Sequence, residues 1–238
     1  MPPLRKAGLM ALAFFALTFA GALTAKADEL NFVSPTAANG TGFGTVLTLL
    51  TLHNTTSPEI GSVSWNGTTT VTTGDATNQS QTYTIQQLIN AGVTANTFGV
   101  VYNVNETGPT PNPTTLNSFS LDVYNSAGVL QGSISLSAQA LAQNPYQMFE
   151  QGVGGSGYLF TVAETGGVFD LDSVFALHPD WVIGASGSIS QNDNGPETFY
   201  IVNTANPVPE PTTMLLLGTG LAGIAARVRR RRKMAKLD

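Results

Sequence analysis

The chain contains no cysteine, and its lysine and arginine residues are confined to its two ends. Without cysteine no disulfide can form, so the stability of the fold has to come from a packed core. No Lys or Arg occurs between residues 27 and 226, whereas every Asp and Glu except Asp238 lies between Asp28 and Glu210. Such an acidic stretch repels phosphate groups, which argues against nucleic acid as a partner.

Recognisable catalytic and cofactor motifs are also missing. Residues 152–157 (GVGGSG) match the letters of the dinucleotide-binding pattern GxGxxG, but a strand-like run at 158–162 follows where that site needs a helix. No GxSxG nucleophile motif occurs, and His53 and His178 are the only histidines. We therefore expect no enzymatic activity, no catalytic residue and no cofactor.

Two acidic residues at alternate positions, Asp170 and Asp172, are the candidates for a metal site. Calcium needs about six to eight oxygen ligands, and the sequence pattern of a calcium-binding EF-hand loop is absent. Two interpretations remain: a calcium ion bound in a loop, or an Asp170 side chain that caps a short helix at residues 171–177. We favour the helix cap and expect no metal.

Two rival functions depend on how the chain folds. A carbohydrate-binding module would need a surface platform of aromatic side chains. The candidates for it are Trp65, Trp181, Tyr102, Tyr124, Tyr146, Tyr158 and Tyr200. A secreted hydrolase would need two carboxylates in one cleft, and the distance between them is a three-dimensional property that sequence does not contain. The candidates for that pair are Glu106, Glu150, Glu164 and Glu197.

The residues between the two ends follow a β pattern. Apolar and polar residues alternate at 119–123 and again at 130–136, on either side of a turn at 125–128, which predicts a β-hairpin. Further strands are expected at 44–53, 62–65, 68–73, 97–104, 158–162, 182–190 and 198–202, and short helices at 85–90, 138–143 and 171–177. Many short strands with one polar face predict an all-β fold, an antiparallel sandwich or jelly roll with a few short helices.

The N-terminal end has the features of a secretory signal peptide. Arg5 and Lys6 precede an apolar run at residues 7–23, and Ala25 and Ala27 form a small-x-small cleavage site. We expect signal peptidase to remove residues 1–27. The exported β-rich domain, here called the body, would then span residues 28–204.

The C-terminal end combines three elements in order. A linker at 205–211 ends in Val208, Pro209, Glu210 and Pro211. Residues 212–226 carry no charge and as a helix would span roughly 22 Å, against a bilayer core of about 30 Å, so we expect a short transmembrane anchor. The tail at 227–238 contains the basic residues Arg227, Arg229, Arg230, Arg231, Arg232 and Lys233. Long basic side chains can extend such an anchor by snorkelling, and the positive-inside rule places the C-terminus in the cytoplasm.

This order of elements resembles the PEP-CTERM sorting signal of Gram-negative bacteria. The resemblance rests on Val208, Pro209, Glu210 and Pro211, the apolar run 212–226 and the basic cluster 227–233. It implies that the membrane-embedded transpeptidase exosortase cuts at or near the Pro-Glu-Pro motif, after a transient stay in the inner membrane, and releases or attaches the body. Because proteins of this kind accompany exopolysaccharide and biofilm-matrix systems, the resemblance implies a surface or matrix protein with exopolysaccharide as its expected partner. The same tail is also labelled an ice-binding-protein C-terminal domain, which names the anchor and not an activity.

Overall fold

The computed structural model describes most of the body and little beyond it. Its described residues are 28–37, 46–105, 113–147, 156–165, 169–191, 195–205 and 219. Among these residues, no helix has the length and apolar character needed to cross a membrane. The signal peptide, the anchor apart from residue 219, and the basic tail lie outside the described residues, so their predictions stay predictions.

Strands dominate the described residues, and the helices are short. The strands are β1 (Glu29–Ala37), β2 (Val46–Leu52), β3 (Glu59–Trp65), β4 (Thr70–Gly74), β5 (Tyr83–Thr84), β6 (Phe98–Val104), β7 (Pro113–Tyr124), β8 (Leu130–Leu136), β9 (Tyr146–Gln147), β10 (Ser156–Ala163), β11 (Val182–Ser190) and β12 (Glu197–Asn203). The helices of the body are α1 (Ile85–Asn90), α2 (Ala138–Leu141) and α3 (Leu171–Leu177), with a 3₁₀ turn at Ala95–Thr97. The all-β prediction is confirmed.

The twelve strands that the structure describes belong to one sheet. Its order is β2-β12-β6-β10-β1-β8-β7-β11-β3-β4, with β5 paired to β11 and β9 to β7. Neighbours pair antiparallel except β1 and β8, which are parallel. A sandwich or jelly roll would consist of two sheets, whereas here the hydrogen-bonded ladder is continuous.

The sheet curls until its two edges approach each other. The residues that follow β4 run beside edge strand β2, where the Thr77 amide donates to the Thr51 carbonyl at 2.8 Å and the Gln81 amide donates to the Leu49 carbonyl at 3.1 Å. This contact gives the polar backbone groups of β2 partners on its open side, which limits edge-to-edge association with other chains.

An aromatic cluster fills the interior of the curled sheet. Phe199 stacks on Phe119 with ring centroids 4.2 Å apart and on Tyr102 at 4.8 Å. Tyr102 meets Tyr146 edge to face at 5.8 Å. These rings come from β12, β7, β6 and β9, so the cluster ties distant strands together where no disulfide is available.

The predicted hairpin is confirmed, and its outer face carries polar side chains. Strands β7 and β8 pair antiparallel, with Leu121 opposite Ile134 on the buried face and Ser120 opposite Ser135 on the other. In the turn, the Asn125 side chain accepts from the amides of Ala127 and Val129, and Gly128 takes φ +84°. Glycine suits this position because a side chain there would also collide with the backbone of Asn66.

Three strands were not expected from sequence. Strand β1 contains Pro35, which lowers strand propensity, while β5 and β9 are only two residues long. Each of the two short strands is held by a partner far away in sequence, β11 for β5 and β7 for β9. Local pattern reading does not detect such elements.

Candidate functional site

The two predicted metal candidates have structural roles at the start of α3. Asp170 is the N-cap residue of α3, as predicted, and its Oδ1 accepts from the Ser173 amide at 2.6 Å. Asp172 lies in the first turn of α3 and forms a hydrogen bond with the exposed carboxyl of Glu164. That bond, together with the neighbouring charges, raises the pKa of Glu164.

A third carboxylate, the buried Asp28, lies near Glu164 and Asp172. Asp28 accepts from the Leu171 amide at 2.9 Å and from the Thr165 amide at 3.4 Å, so it links the start of β1 to the start of α3. A cavity of about 120 Å³ lies beside Asp28, Glu164 and Asp172. Even so, no group of three His, Cys, Asp or Glu among the described residues is arranged to hold a metal ion.

The two histidines occupy different surroundings. His178 ends α3 and its ring stacks on Trp181, with centroids 3.7 Å apart and planes 9° from parallel. His53 follows β2, is exposed, and lies close enough to Glu59 to offset part of the rise that burial causes in the pKa of that carboxyl. His178 therefore packs against an aromatic ring, whereas His53 interacts electrostatically with a carboxyl.

The four glutamates considered for a hydrolase do not form a described pair in a cleft. Glu106 and Glu150 lie outside the described residues. Glu164 contacts Asp172, and Glu197 is completely buried in β12. A substrate at the surface has no access to the Glu197 carboxyl.

The aromatic candidates for a sugar platform lie in different parts of the structure. Tyr102, Tyr146 and Tyr158 belong to the buried core. Trp65 is half-buried and donates its indole N–H to the Ser126 carbonyl at 3.1 Å, while Trp181 packs against His178. Since three of the seven rings are in the core, the predicted set does not form one surface platform.

A pair of carboxyls that the sequence reading did not single out lies inside the sheet. Glu59 on β3 and Glu197 on β12 are both completely buried, and their carboxyls interact with each other. The Asn54 amide also donates to Glu59 Oε1 at 2.7 Å. Burial raises the pKa of Glu59, more than its hydrogen bonds and nearby His53 lower it.

A hydroxyl row on the outside of the sheet is the second feature that sequence reading missed. Five residues stand directly opposite one another on neighbouring strands: Ser135, Ser120, Ser186, Ser62 and Thr73. Their Oγ atoms meet at 2.8 Å between Ser120 and Ser186 and at 2.7 Å between Ser62 and Thr73. The alternating residues in β7 and β11 are buried, so the row lies on the solvent side of the sheet.

Comparison with known proteins gives a match at the C-terminal end of the chain. Residues 207–231 match the family model described as the PEP-CTERM protein-sorting motif. The chain carries a PEP-CTERM sorting domain. The matched segment includes the four residues Val208 to Pro211 together with Arg227, Arg229, Arg230 and Arg231, and it covers about a tenth of the chain. No curated protein and no solved structure matches the chain.

The PEP-CTERM sorting domain identifies an exported protein that is targeted to exosortase. It implies a transient anchor at the C-terminal end during export. Nearly all residues of this domain lie outside the described ones, so the roles of Glu210 and the flanking prolines remain predictions.

Proposed function

We propose that the protein is a non-catalytic component of the cell surface or extracellular matrix, delivered there by exosortase. The observation that carries the proposal is the sorting domain at residues 207–231, joined to a body whose charged side chains, apart from histidine, are all acidic. An acidic body is soluble and is repelled by anionic lipid, so the membrane contact would depend on the anchor alone.

The order of processing follows from the two chain ends. Signal peptidase removes residues 1–27 after Ala27, and the segment 212–226 then holds the precursor in the inner membrane with residues 227–238 in the cytoplasm. Pro209 and Pro211 keep Glu210 extended at the membrane surface, where a membrane-embedded enzyme can reach it. Exosortase cleavage at this point separates the body from its anchor.

A second candidate function, carbohydrate binding, is favoured by one observation. The hydroxyl row on β8, β7, β11, β3 and β4 faces solvent and contains no cationic side chain. A polyhydroxyl surface of this kind suits a matrix protein that contacts neutral polymer. Catalysis has no comparable support in the part of the chain that the structure describes, because its buried carboxyl pair, Glu59 and Glu197, is closed to solvent.

The test of the sorting proposal is Glu210→Ala in cells that contain exosortase. We expect the uncleaved precursor to accumulate in the inner membrane, detected by its larger mass on immunoblots of membrane fractions. Asp238→Ala removes a carboxylate just beyond the matched segment and serves as the control, which should be processed normally. Normal processing of the Glu210→Ala precursor would show that exosortase does not read this residue.

A further inference from the structure

A cleft opens on the outside of the sheet where the hydroxyl row meets helix α2. It has a volume of about 210 Å³, and its lining includes Asn117, Ser118, Ser120, Ser135, Ser186 and Leu141. Helix α2 contacts β7 and β8 and supplies Leu141, which is 38% exposed, as an apolar wall beside the hydroxyl groups. Ser118 and Ser135 are exposed, so a ligand reaches both from solvent.

One carboxylate organises the hydroxyl groups on this face. Asp122 accepts from Ser133 at 2.6 Å, from Ser120 at 3.1 Å and from Ser186 at 3.1 Å. A serine hydroxyl has one proton to donate and two lone pairs that accept. Since these serines direct their protons towards Asp122 or towards each other, the oxygen atoms of Ser120, Ser133 and Ser186 offer mainly lone pairs to a ligand.

The polarity of the cleft restricts the kind of ligand. Lone pairs backed by a carboxylate attract O–H donors and repel anions, and the body contains no Lys or Arg to reverse this preference. The apolar side chain of Leu141 gives the C–H face of a sugar ring a surface to pack against, next to the polar groups that orient it. An uncharged carbohydrate meets both requirements.

The length of the hydroxyl row favours a polymer over a single sugar. Adjacent strands of a sheet are 4.7–4.9 Å apart, so the row from Ser135 to Thr73 is about 19 Å long. The cleft lies at the Ser135 end of this row. A chain that enters the cleft can therefore continue across the sheet and meet one hydroxyl group per strand.

We propose that the cleft beside α2 and the hydroxyl row together bind an uncharged polysaccharide chain. The site deepens the proposed matrix role and rests on it for its biological setting. The ligand contacts Ser118 and Ser135 in the cleft and then runs over Ser120, Ser186, Ser62 and Thr73, while Leu141 packs against a sugar ring.

The experiment measures binding of the full chain, purified in a detergent without a sugar headgroup, to three neutral polysaccharides: dextran, hydroxyethylcellulose and galactomannan. The anionic polymer alginate is the comparison ligand. Affinity electrophoresis gives the dissociation constants. We expect retardation by at least one neutral polymer and none by alginate.

The variant Ser118→Ala/Ser135→Ala removes two exposed cleft hydroxyls without touching the buried core. It should bind about tenfold more weakly, as expected for two lost hydrogen bonds. Ser126→Ala/Thr68→Ala removes two exposed hydroxyls outside the cleft and should bind like the wild type. Equal thermal melting curves for both variants would show that folding is intact.

Three results would overturn the proposal: no retardation by any neutral polymer, stronger retardation by alginate, or the same loss in both double variants. Immunoblots of cell fractions show independently whether the protein is processed and exported, as the proposed matrix role requires. A protein that is processed and exported normally but binds no polymer would contradict the binding site alone.

Discussion

Glu59 and Glu197 meet carboxyl to carboxyl in the interior of a sheet whose chain segment contains no lysine or arginine. Two buried carboxylates without a cation would repel each other strongly, and burial disfavours the charged form of each. A proton shared between the two carboxyls would remove one of the charges and turn the repulsion into a hydrogen bond. The neighbours of Glu59 include the exposed His53 and the half-buried Asp75.

The pair makes the folded state sensitive to pH. Because burial raises the pKa of Glu59 above its value in the unfolded chain, its contribution to stability is complete below about pH 4.3 and is lost as the pH rises through the raised value. We expect the melting temperature of Glu59→Gln to fall less than that of the wild type between pH 5 and pH 8. Thermal denaturation followed by circular dichroism measures this, with Asp180→Asn, at an exposed position, as the control. If the melting temperature of the wild type fell no more steeply with pH than that of Glu59→Gln, the result would contradict the shared proton.

The dispersed acids of the body should respond to salt. Screening acts over about 10 Å at 0.1 M ionic strength, which shortens the range of repulsion among like charges. We expect the melting temperature of the full chain to rise between 10 mM and 200 mM NaCl. A fall over this range would count against repulsion. A rise with micromolar calcium, absent with sodium, would instead support the calcium interpretation of Asp170 and Asp172.

The cap of α3 should contribute measurably to stability. Asp170→Ala removes the acceptor for the Ser173 amide, and we expect the free energy of unfolding to fall by about 1 kcal/mol. Asp170→Asn keeps a capping oxygen and should cost less. Asp172→Asn is the matched control, because the Asp172 side chain does not cap the helix. This substitution removes a negative charge next to the carboxyl of Glu164. Urea denaturation distinguishes the three variants, and an equal cost for Asp170→Ala and Asp172→Asn would argue against the cap.

The basic residues at 227–236 predict the orientation of the anchor through the positive-inside rule. A reporter that is active only in the cytoplasm, fused after Asp238, should be active in a strain that lacks exosortase. Replacement of the four consecutive arginines Arg229 to Arg232 by glutamine should reduce that activity, because the charge bias that retains the tail is weakened. Activity of a periplasm-specific reporter at the same position would contradict the orientation.

Several features of the body could be read from local patterns. Alternation at 119–123 and 130–136 identified the β7–β8 hairpin, since period two places one face on the core and the other in solvent. Helices α1 and α3 begin after Thr84 and Asp170, whose side chains cap them, and capping depends on residues three apart. In each case the interaction that stabilises the element lies within or beside it.

Other features depended on pairing between distant segments. Glu59 and Glu197 are far apart in the chain, and only the curl of the sheet brings β3 and β12 close enough for their carboxyls to meet. The alternation of Glu59 with Gly61 and Val63 in β3 was a usable signal, because residues two apart share a face and Val63 belongs to the core. The sequence contains no comparable signal that Glu197 is the residue that Glu59 meets.

The sequence by itself determined that the protein carries a sorting signal, because residues 207–231 match the PEP-CTERM motif as a linear segment, without reference to the fold. The tertiary structure alone decided what the body presents to its surroundings. Strand order places Ser120 between Ser135 and Ser186, and three of the seven predicted platform rings are in the core. The reason is physical: strand order arises from pairing between segments that are far apart in the chain, and the periodicity of a single strand does not specify its partners.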